Sequence, residues 1–293
     1  MKELVVISGK GGTGKTSITA SLSSLAENKV VADCDVDAAD MHLILKPRVQ
    51  FEEEFEGGRM AVIDPAACTS CGECTRLCRF DAIKVTDGVY SVKKLSCEGC
   101  NVCAHFCPVG AIEMKDKIAG KWFISDTRHG PFVHAAMNIA EENSGKLVTK
   151  VRQEAKKIAV EKGLDFIITD GSPGIGCPVI ASITGADQVL IVTEPTVSGY
   201  HDMRRTVELI SHFRIPGMVC INKYDLNMDV VAEIEEFCKT NGIEVIARVP
   251  YDRDFTRAML NAQSIIEYSG GTTSAIIRAM WEKILSSPAV AEK

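Results

Sequence analysis

Two runs of cysteine and one glycine-rich loop carry the chemistry available to this chain. The runs are Cys68-x2-Cys71-x2-Cys74-x3-Cys78 and Cys97-x2-Cys100-x2-Cys103-x3-Cys107-Pro108, and together they hold eight of the 12 cysteines. Three thiolates at x2 spacing can close on one iron–sulfur cube from a single turn-rich loop, with a fourth supplied from elsewhere. Paired C-x2-C also suits tetrahedral zinc, but zinc motifs rarely give three such cysteines plus a fourth, twice over. The loop is Gly9-Lys10-Gly11-Gly12-Thr13-Gly14-Lys15-Thr16-Ser17, which contains G-x-x-x-x-G-K-[ST]. Its glycines let backbone N–H groups face phosphate oxygens at the positive end of the next helix. Lys15 is placed to neutralise β- and γ-phosphates, and the Thr16 hydroxyl to ligate Mg²⁺.

Strands and helices must hold these groups, and the hydrophobic pattern supplies them. Leu4–Ser8 is an apolar run ending at the glycine-rich turn, followed by a helix from about Lys15 to Ala26. Val30–Ala32 reads as a second strand, ending at Asp33-Cys34-Asp35, and Phe166–Thr169 as a buried strand ending at Asp170. Lys121–Ser125, Gln188–Thr193, Gly217–Asn222 and Val245–Pro250 read as further strands. Helical spacing covers Leu147–Lys162, His201–Phe213 and Val230–Asn241. Continuous apolar strands alternating with helices predict an α/β fold, a doubly wound and mostly parallel sheet. The P-loop, Asp35 and Asp170 then share its carboxyl edge, where ligands bind.

Between about residues 59 and 117 the texture changes to cysteines, turns and short apolar segments. The segment from Cys68 to Ala82-Ile83 echoes that from Cys97 to Ala111-Ile112, about 29 residues later. A small inserted α+β module over 58–118 is therefore expected, with the larger domain formed by 1–57 and 119–293.

The chain has 293 residues, 46% hydrophobic and 25% charged, with a formal net charge of −6. That balance argues against a surface that coats nucleic acid. No apolar run reaches membrane-span length, and Met1-Lys2-Glu3 leads straight into the first strand rather than a signal peptide. A cytoplasmic protein is expected, with thiols kept reduced, so that 12 cysteines call for a metal explanation.

Lys10 through Thr16 resembles the deviant Walker A of the MinD/ParA class, which includes the nitrogenase iron protein. The resemblance covers residues 1–57 and 119–293. It implies an ATP- and Mg²⁺-dependent homodimer in which Lys10 reaches the partner's phosphates. Gly11, Gly12, Thr13, Gly14, Lys15, Thr16 and Ser17 would hold the phosphates. Asp33-Cys34-Asp35 resembles switch I, making Asp35 the residue that orients the attacking water and Asp33 its support. Asp165 to Gly174 resembles Walker B and switch II, with Asp170 holding Mg²⁺ through water alongside Thr16. Lys10, Lys15, Asp35 and Asp170 are thus the implied catalytic set. Asn222-Lys223-Tyr224-Asp225 resembles the base-binding segment, and Pro250-Tyr251-Asp252 the loop over the base. Asp40 stands where relatives carry asparagine and receives no role; Asp37 suits a turn or N-cap.

The cysteine runs resemble bacterial two-cluster ferredoxins, whose last cysteine in each run ligates the opposite cluster. One [4Fe–4S] cluster would use Cys68, Cys71, Cys74 and Cys107, the other Cys97, Cys100, Cys103 and Cys78. Arg79 follows Cys78 where proline would be usual. Cys220 and Cys238 read as buried small hydrophobes. Cys34 and Cys177 lie in the switch segments, and Cys177 follows Asp170 at the interval of a cluster-bridging cysteine in the nitrogenase iron protein; a packed thiol is the simpler expectation. Gly130 to Ala135, with Glu142 to Val148, resembles a block of ferredoxin-containing MinD relatives and is expected to be a mobile loop. His134 is expected to be a structural hydrogen-bonded histidine, and His105 to face solvent. The stretch Ser274–Leu285 is amphipathic, with docking on the domain core favoured over membrane.

These readings combine into an ATPase whose nucleotide cycle gates electron transfer through two [4Fe–4S] clusters, with an unidentified redox or cluster-accepting protein as partner. A Mrp-like iron–sulfur carrier is the alternative, although its C-x-x-C pair is missing after residue 107. A MinD/ParA-like positioning ATPase ranks last.

Overall fold

β1 (Lys2–Ser8) is buried along its whole length, as a central strand covered on both faces must be. The computed structural model describes residues 1–138 and 144–287. From β1 the chain turns through the glycine loop into α1 (Lys15–Leu25), entered through Gly14 at φ 92°, a left-handed conformation that glycine adopts without strain. β2 (Lys29–Asp33) and the short α2 (Met41–Leu45) follow.

β3 (Arg48–Ile63) comes next, a 16-residue strand absent from the sequence reading. It is the terminal strand of the large sheet, and its first seven residues are all exposed, Glu52, Glu53 and Glu54 among them. Without a buried face there, its pattern carries no alternation to read. α3 (Glu73–Leu77), the β4 (Ile83–Thr86) and β5 (Val89–Val92) hairpin, α4 (Val102–His105) and β6 (Ile112–Thr127) complete the cysteine-bearing region.

β7 (Gly130–Met137) occupies the segment expected to be a mobile loop, and that expectation is corrected. Phe132, Val133 and Ala135 are fully buried, and the strand pairs parallel to β2. Tertiary pairing overrides the small and polar local composition. Glu142 and Asn143, from the same block, lie outside the described residues; Ser144 opens α5 (Ser144–Lys162).

The remaining elements are β8 (Phe166–Pro173), α6 (Cys177–Ile183), β9 (Gln188–Thr193), α7 (Val197–His212), β10 (Gly217–Asn222), α8 (Met228–Thr240) and β11 (Glu244–Val249). They are followed by α9 (Asp254–Leu260), α10 (Ile265–Tyr268) and α11 (Thr272–Ser286). The nine-stranded sheet runs β11-β10-β9-β1-β8-β2-β7-β6-β3, parallel from β11 through β7. Alternation along β1 splits the core. Leu4 and Val6 pack with Ile18 and Leu22 of α1 and with α11, while Val5 and Ile7 pack with α6, α7 and α8.

α11 buries Ile277, Met280, Trp281 and Ile284 against this core. Each such side chain contributes about 1.5–3 kcal/mol, so lifting the helix onto a bilayer would forfeit several of these terms. Among the described residues no helix is long and apolar enough to cross a membrane.

By internal contacts the chain forms two units. The first comprises Met1–Glu53, Trp122–Ala136 and Ser144–Lys293; the second comprises Glu54–Lys121 and Met137–Asn143. The second unit thus begins and ends a few residues outside the 58–118 expected for the insert, because β3 and β6 extend into it. Its core is Ala61, Ile63, Cys74, Ile83 and Ile112, with five further cysteines packed against them.

Candidate functional site

Parallel strand register brings the acidic strand ends together. Asp33 at the end of β2 stands opposite Asp170 on β8, and the glycine loop leaves β1 beside them. Lys15 Nζ lies 2.9 Å from Asp170 Oδ1 and 3.2 Å from Asp35 Oδ2. Asp170 also accepts hydrogen bonds from Thr16 Oγ1 and Thr19 Oγ1, both at 2.8 Å. Burial pulls the Lys15 pKa down, but the charges of Asp170 and then Asp35 outweigh it and hold the ammonium above its usual value. Burial, then the neighbouring Asp170, pushes the Asp33 carboxyl well up; burial also raises Asp35, against the pull of Lys15.

Three carboxylates therefore face one ammonium. Asp33 Oδ1 accepts the Asp35 N–H at 3.1 Å, whereas the buried Asp33 Oδ2 and Thr13 Oγ1 have no hydrogen-bond partner among the described residues. Orphaned polar atoms on both sides of Lys15, together with an excess of negative charge, fit a site that takes phosphate and a divalent cation. Thr16 and Asp170 are the side chains positioned to hold that cation.

Lys10 is engaged by its own chain. Its ammonium lies 2.8 Å from Glu194 Oε1, 2.9 Å from Ser198 Oγ and 3.2 Å from Thr196 Oγ1. Glu194 also pairs with Lys223 at 3.0 Å, and Lys223 donates to the Gly12 carbonyl at 3.0 Å. Burial raises the Glu194 pKa, but its bonds to Lys10 and Lys223 bring it below the usual range. Sequence reasoning missed Glu194, Thr196 and Ser198. Their position just past the end of β9, on the same carboxyl edge, was the available signal.

Asn222 and the 250–252 loop border a cleft of about 480 Å³, with Gly14, Ser17 and Phe255 among its other walls. Asn222 Nδ2 donates to the Thr13 carbonyl at 2.7 Å, and its Oδ1 accepts the Lys223 N–H at 3.0 Å. The amide therefore ties the end of β10 to the phosphate loop, and each of its polar atoms keeps one bonding position for a base. A Cβ on Gly14 would collide with Asn222 Nδ2. Asp252 accepts from Thr273 Oγ1 at 2.6 Å and from the Asp254 N–H at 2.8 Å, so it fixes its own loop. Ser17 Oγ lies 3.7 Å from Met259 Sδ, and Gly11 is exposed.

In the second unit the cysteines surround two cavities. One is lined by Cys68, Cys71, Cys74 and Cys107; the other by Cys97, Cys100, Cys103 and Cys78. The fourth thiol of each ring comes from the opposite run. Both of these crossing sulfurs accept a backbone hydrogen bond at 3.3 Å, Cys78 from the Ala82 N–H and Cys107 from the Ala111 N–H. Gly72, Gly99 and Asn101 hold φ of 80°, 62° and 67° in the turns that aim the sulfurs inward. Burial raises Cys74 and Cys103. Among the described residues no three His, Cys, Asp or Glu side chains are set to hold one metal ion. Four thiols line each cavity, the donor set that an iron–sulfur group takes.

The other singled-out residues are structural. Cys34 is fully buried, with Sγ 4.0 Å from the Val148 carbonyl, and burial raises its pKa strongly. Burial pushes Cys220 up to about 12 and Cys238 up to about 11, leaving inert thiols. Cys177 is not the packed thiol expected from the sequence: it is exposed at the first position of α6, where the chain enters the helix beside Gly176. His134 lies between the rings of Phe123 and Phe132, its Nε2 3.0 Å from Ser125 Oγ, and burial lowers its pKa to about 4. His105 and Asp37 are exposed, and Asp40 forms no side-chain cap at α2.

Residues 4–265 match the CobQ/CobB/MinD/ParA nucleotide binding domain. An uncharacterised protein of Methanocaldococcus jannaschii is 32% identical over 292 residues, covering 96% of each chain. The septum site-determining protein MinD of Buchnera aphidicola is 25% identical over 285 residues, covering 90% of this chain and 83% of its own. Among solved structures, MinD of Pyrococcus horikoshii complexed with Mg-ADP aligns with a TM-score of 0.58 at 15% identity, covering 97% of this chain and 95% of its own. That likeness is one of fold.

Proposed function

The chain belongs to the CobQ/CobB/MinD/ParA nucleotide-binding family, as a MinD/ParA-type P-loop ATPase, and from that premise we propose that it is a nucleotide-switched homodimer coupling ATP hydrolysis to electron transfer through two [4Fe–4S] clusters. The observation that carries the redox half is the partition of eight cysteines into two rings of four, each completed by the opposite run.

At the nucleotide, the phosphates of ATP draw Lys15 from its carboxylate partners, and Thr16 and Asp170 hold the cation. Asp35, released from Lys15, orients the attacking water. Lys10 exchanges Glu194, Thr196 and Ser198 for the partner copy's phosphates. Asn222 and the 250–252 loop take the base. In the second unit Cys68, Cys71, Cys74 and Cys107 hold one cluster, and Cys97, Cys100, Cys103 and Cys78 the other. Each cluster, when bound, stores and releases one electron. The Ala82 and Ala111 N–H groups stabilise charge on the crossing sulfurs.

Anaerobic purification, followed by EPR of the reduced protein with and without MgATP, tests this reading. Iron and sulfide in equal amounts, with a cluster signal or potential that moves on adding MgATP, is the expected result. Zinc in both rings, or a spectrum indifferent to nucleotide over a working ATPase, would sink it.

A second reading, a MinD-like positioning ATPase, is favoured by the likeness to septum site-determining MinD along 90% of the chain. ATP-dependent sedimentation with anionic vesicles, or retention on DNA, would support it. The burial of α11 in the core weighs against membrane attachment through that helix.

A further inference from the structure

One groove of the second unit is lined by no thiol. It is open and of about 520 Å³, within the range for small-molecule pockets. Met60, Val62 and Ile63 near the end of β3 and Val89, Tyr90 and Val92 of β5 supply its apolar lining. β5 pairs only with β4, so its other edge borders the groove without a strand partner among the described residues.

Two features set the chemistry of an occupant. The first is the floor. Ile63 and Tyr90 also line the cavity ringed by Cys68, Cys71, Cys74 and Cys107, and Ala61 lines the one ringed by Cys97, Cys100, Cys103 and Cys78. One layer of side chains therefore separates the groove from each thiol ring. The second is the rim, which carries Lys94, Lys115 and Asp116. Asp116 is engaged by Arg59 at 3.8 Å. Lys115 pairs only with its exposed neighbour Glu113 at 3.5 Å, a contact worth little in water. Lys94 is exposed and has no ion-pair partner among the described residues. An apolar slot with one aromatic wall and two available ammonium groups suits a flat hydrophobic ring system bearing a negative charge.

We propose that this groove binds a planar aromatic anion of flavin size, held by Met60, Val62, Val89 and Tyr90 through its ring and by Lys94 and Lys115 through its charge. Binding is independent of the cluster reading. Its purpose, placing a small electron carrier within one side chain of both thiol rings, rests on that reading.

The test is equilibrium dialysis of flavin mononucleotide against the anaerobically purified full chain, with saturating MgADP present to occupy the phosphate loop. Iron and sulfide are measured on the same samples. Retention of one flavin per chain is expected, weaker by about tenfold for riboflavin, which lacks the phosphate. Lys94→Glu and Lys115→Glu should each lower retention of the mononucleotide by about tenfold and leave riboflavin unchanged, while Val62→Arg should abolish both. Unaltered iron content in these variants shows the module still folded. No retention by iron-loaded protein, or retention indifferent to all three substitutions, overturns the groove. Absent iron with flavin still retained would sink the cluster reading and leave the groove standing.

Discussion

Lys15 Nζ and Asp170 Oδ1 meet at 2.9 Å, so the cation meant for phosphate is held by the carboxylate meant for metal. Each is the other's stand-in until nucleotide and Mg²⁺ arrive. Lys15→Ala should therefore abolish nucleotide binding. Asp35→Asn should keep binding and slow hydrolysis by about 10²–10⁴-fold, the usual worth of a positioned acid–base group. Phosphate release and fluorescent-nucleotide binding on the same samples separate the two effects. Equal loss of binding in both variants would refute the division of roles.

Lys10 should behave differently, because the role proposed for it lies between copies. In Lys10→Ala, single-chain binding of ADP is expected to survive while ATP-induced dimerisation, followed by light scattering, is lost. A Lys10→Ala protein that still dimerises with ATP would show that the contacts with Glu194, Thr196 and Ser198 are the whole of this lysine's function.

The two rings make a crossed prediction. Cys107→Ser should empty the ring containing Cys68 and spare the one containing Cys97; Cys78→Ser should do the reverse. Each should reduce iron from about eight to about four atoms per chain, the content of one cubane. Selective alkylation mapped by mass spectrometry then identifies which trio has become reactive. Alkylation of Cys97, Cys100 and Cys103 in the Cys107→Ser protein would contradict the crossing.

His134 supplies a pH dependence. Its folded pKa of about 4 lies below the ordinary value of 6.5 because burial disfavours the cation. The unfolded chain binds this proton more readily, so the contribution is fully present above about pH 6.5. It is lost as pH falls toward 4, amounting to about 3 kcal/mol from a shift of this size. Denaturant melts should show the parent losing stability as pH falls from about 6.5 toward 4, with a flatter profile over that range for His134→Phe. Identical acid profiles would remove His134 from the account.

The parallel half of the sheet was legible because β1, β8 and β9 carry unbroken apolar runs, Leu4–Ile7, Phe166–Ile168 and Val189–Val192, as strands buried on both faces do. β3 and β7 were not. The first half of β3 shows water to both sides, and β7 takes its strand character from pairing with β2 rather than from its own composition. At the site, Lys15 and Thr16 could be found from spacing within one loop, and the fourth cysteine of each ring from the resemblance to two-cluster ferredoxins. Contacts made by distant approach could not. Nothing near Asn222 in the sequence says that its amide will hold the Thr13 carbonyl, and nothing near Lys10 points 184 positions onward to Glu194.

The outer margin of β3 has a consequence for how copies of this chain can meet. A bare strand sixteen residues long is an invitation to ladder growth, the first step toward fibres. Glu52, Glu53, Glu54 and Glu56 make that margin repel its own image, since two such borders laid side by side would crowd like charges together. Self-association is thereby discouraged along the sheet's rim.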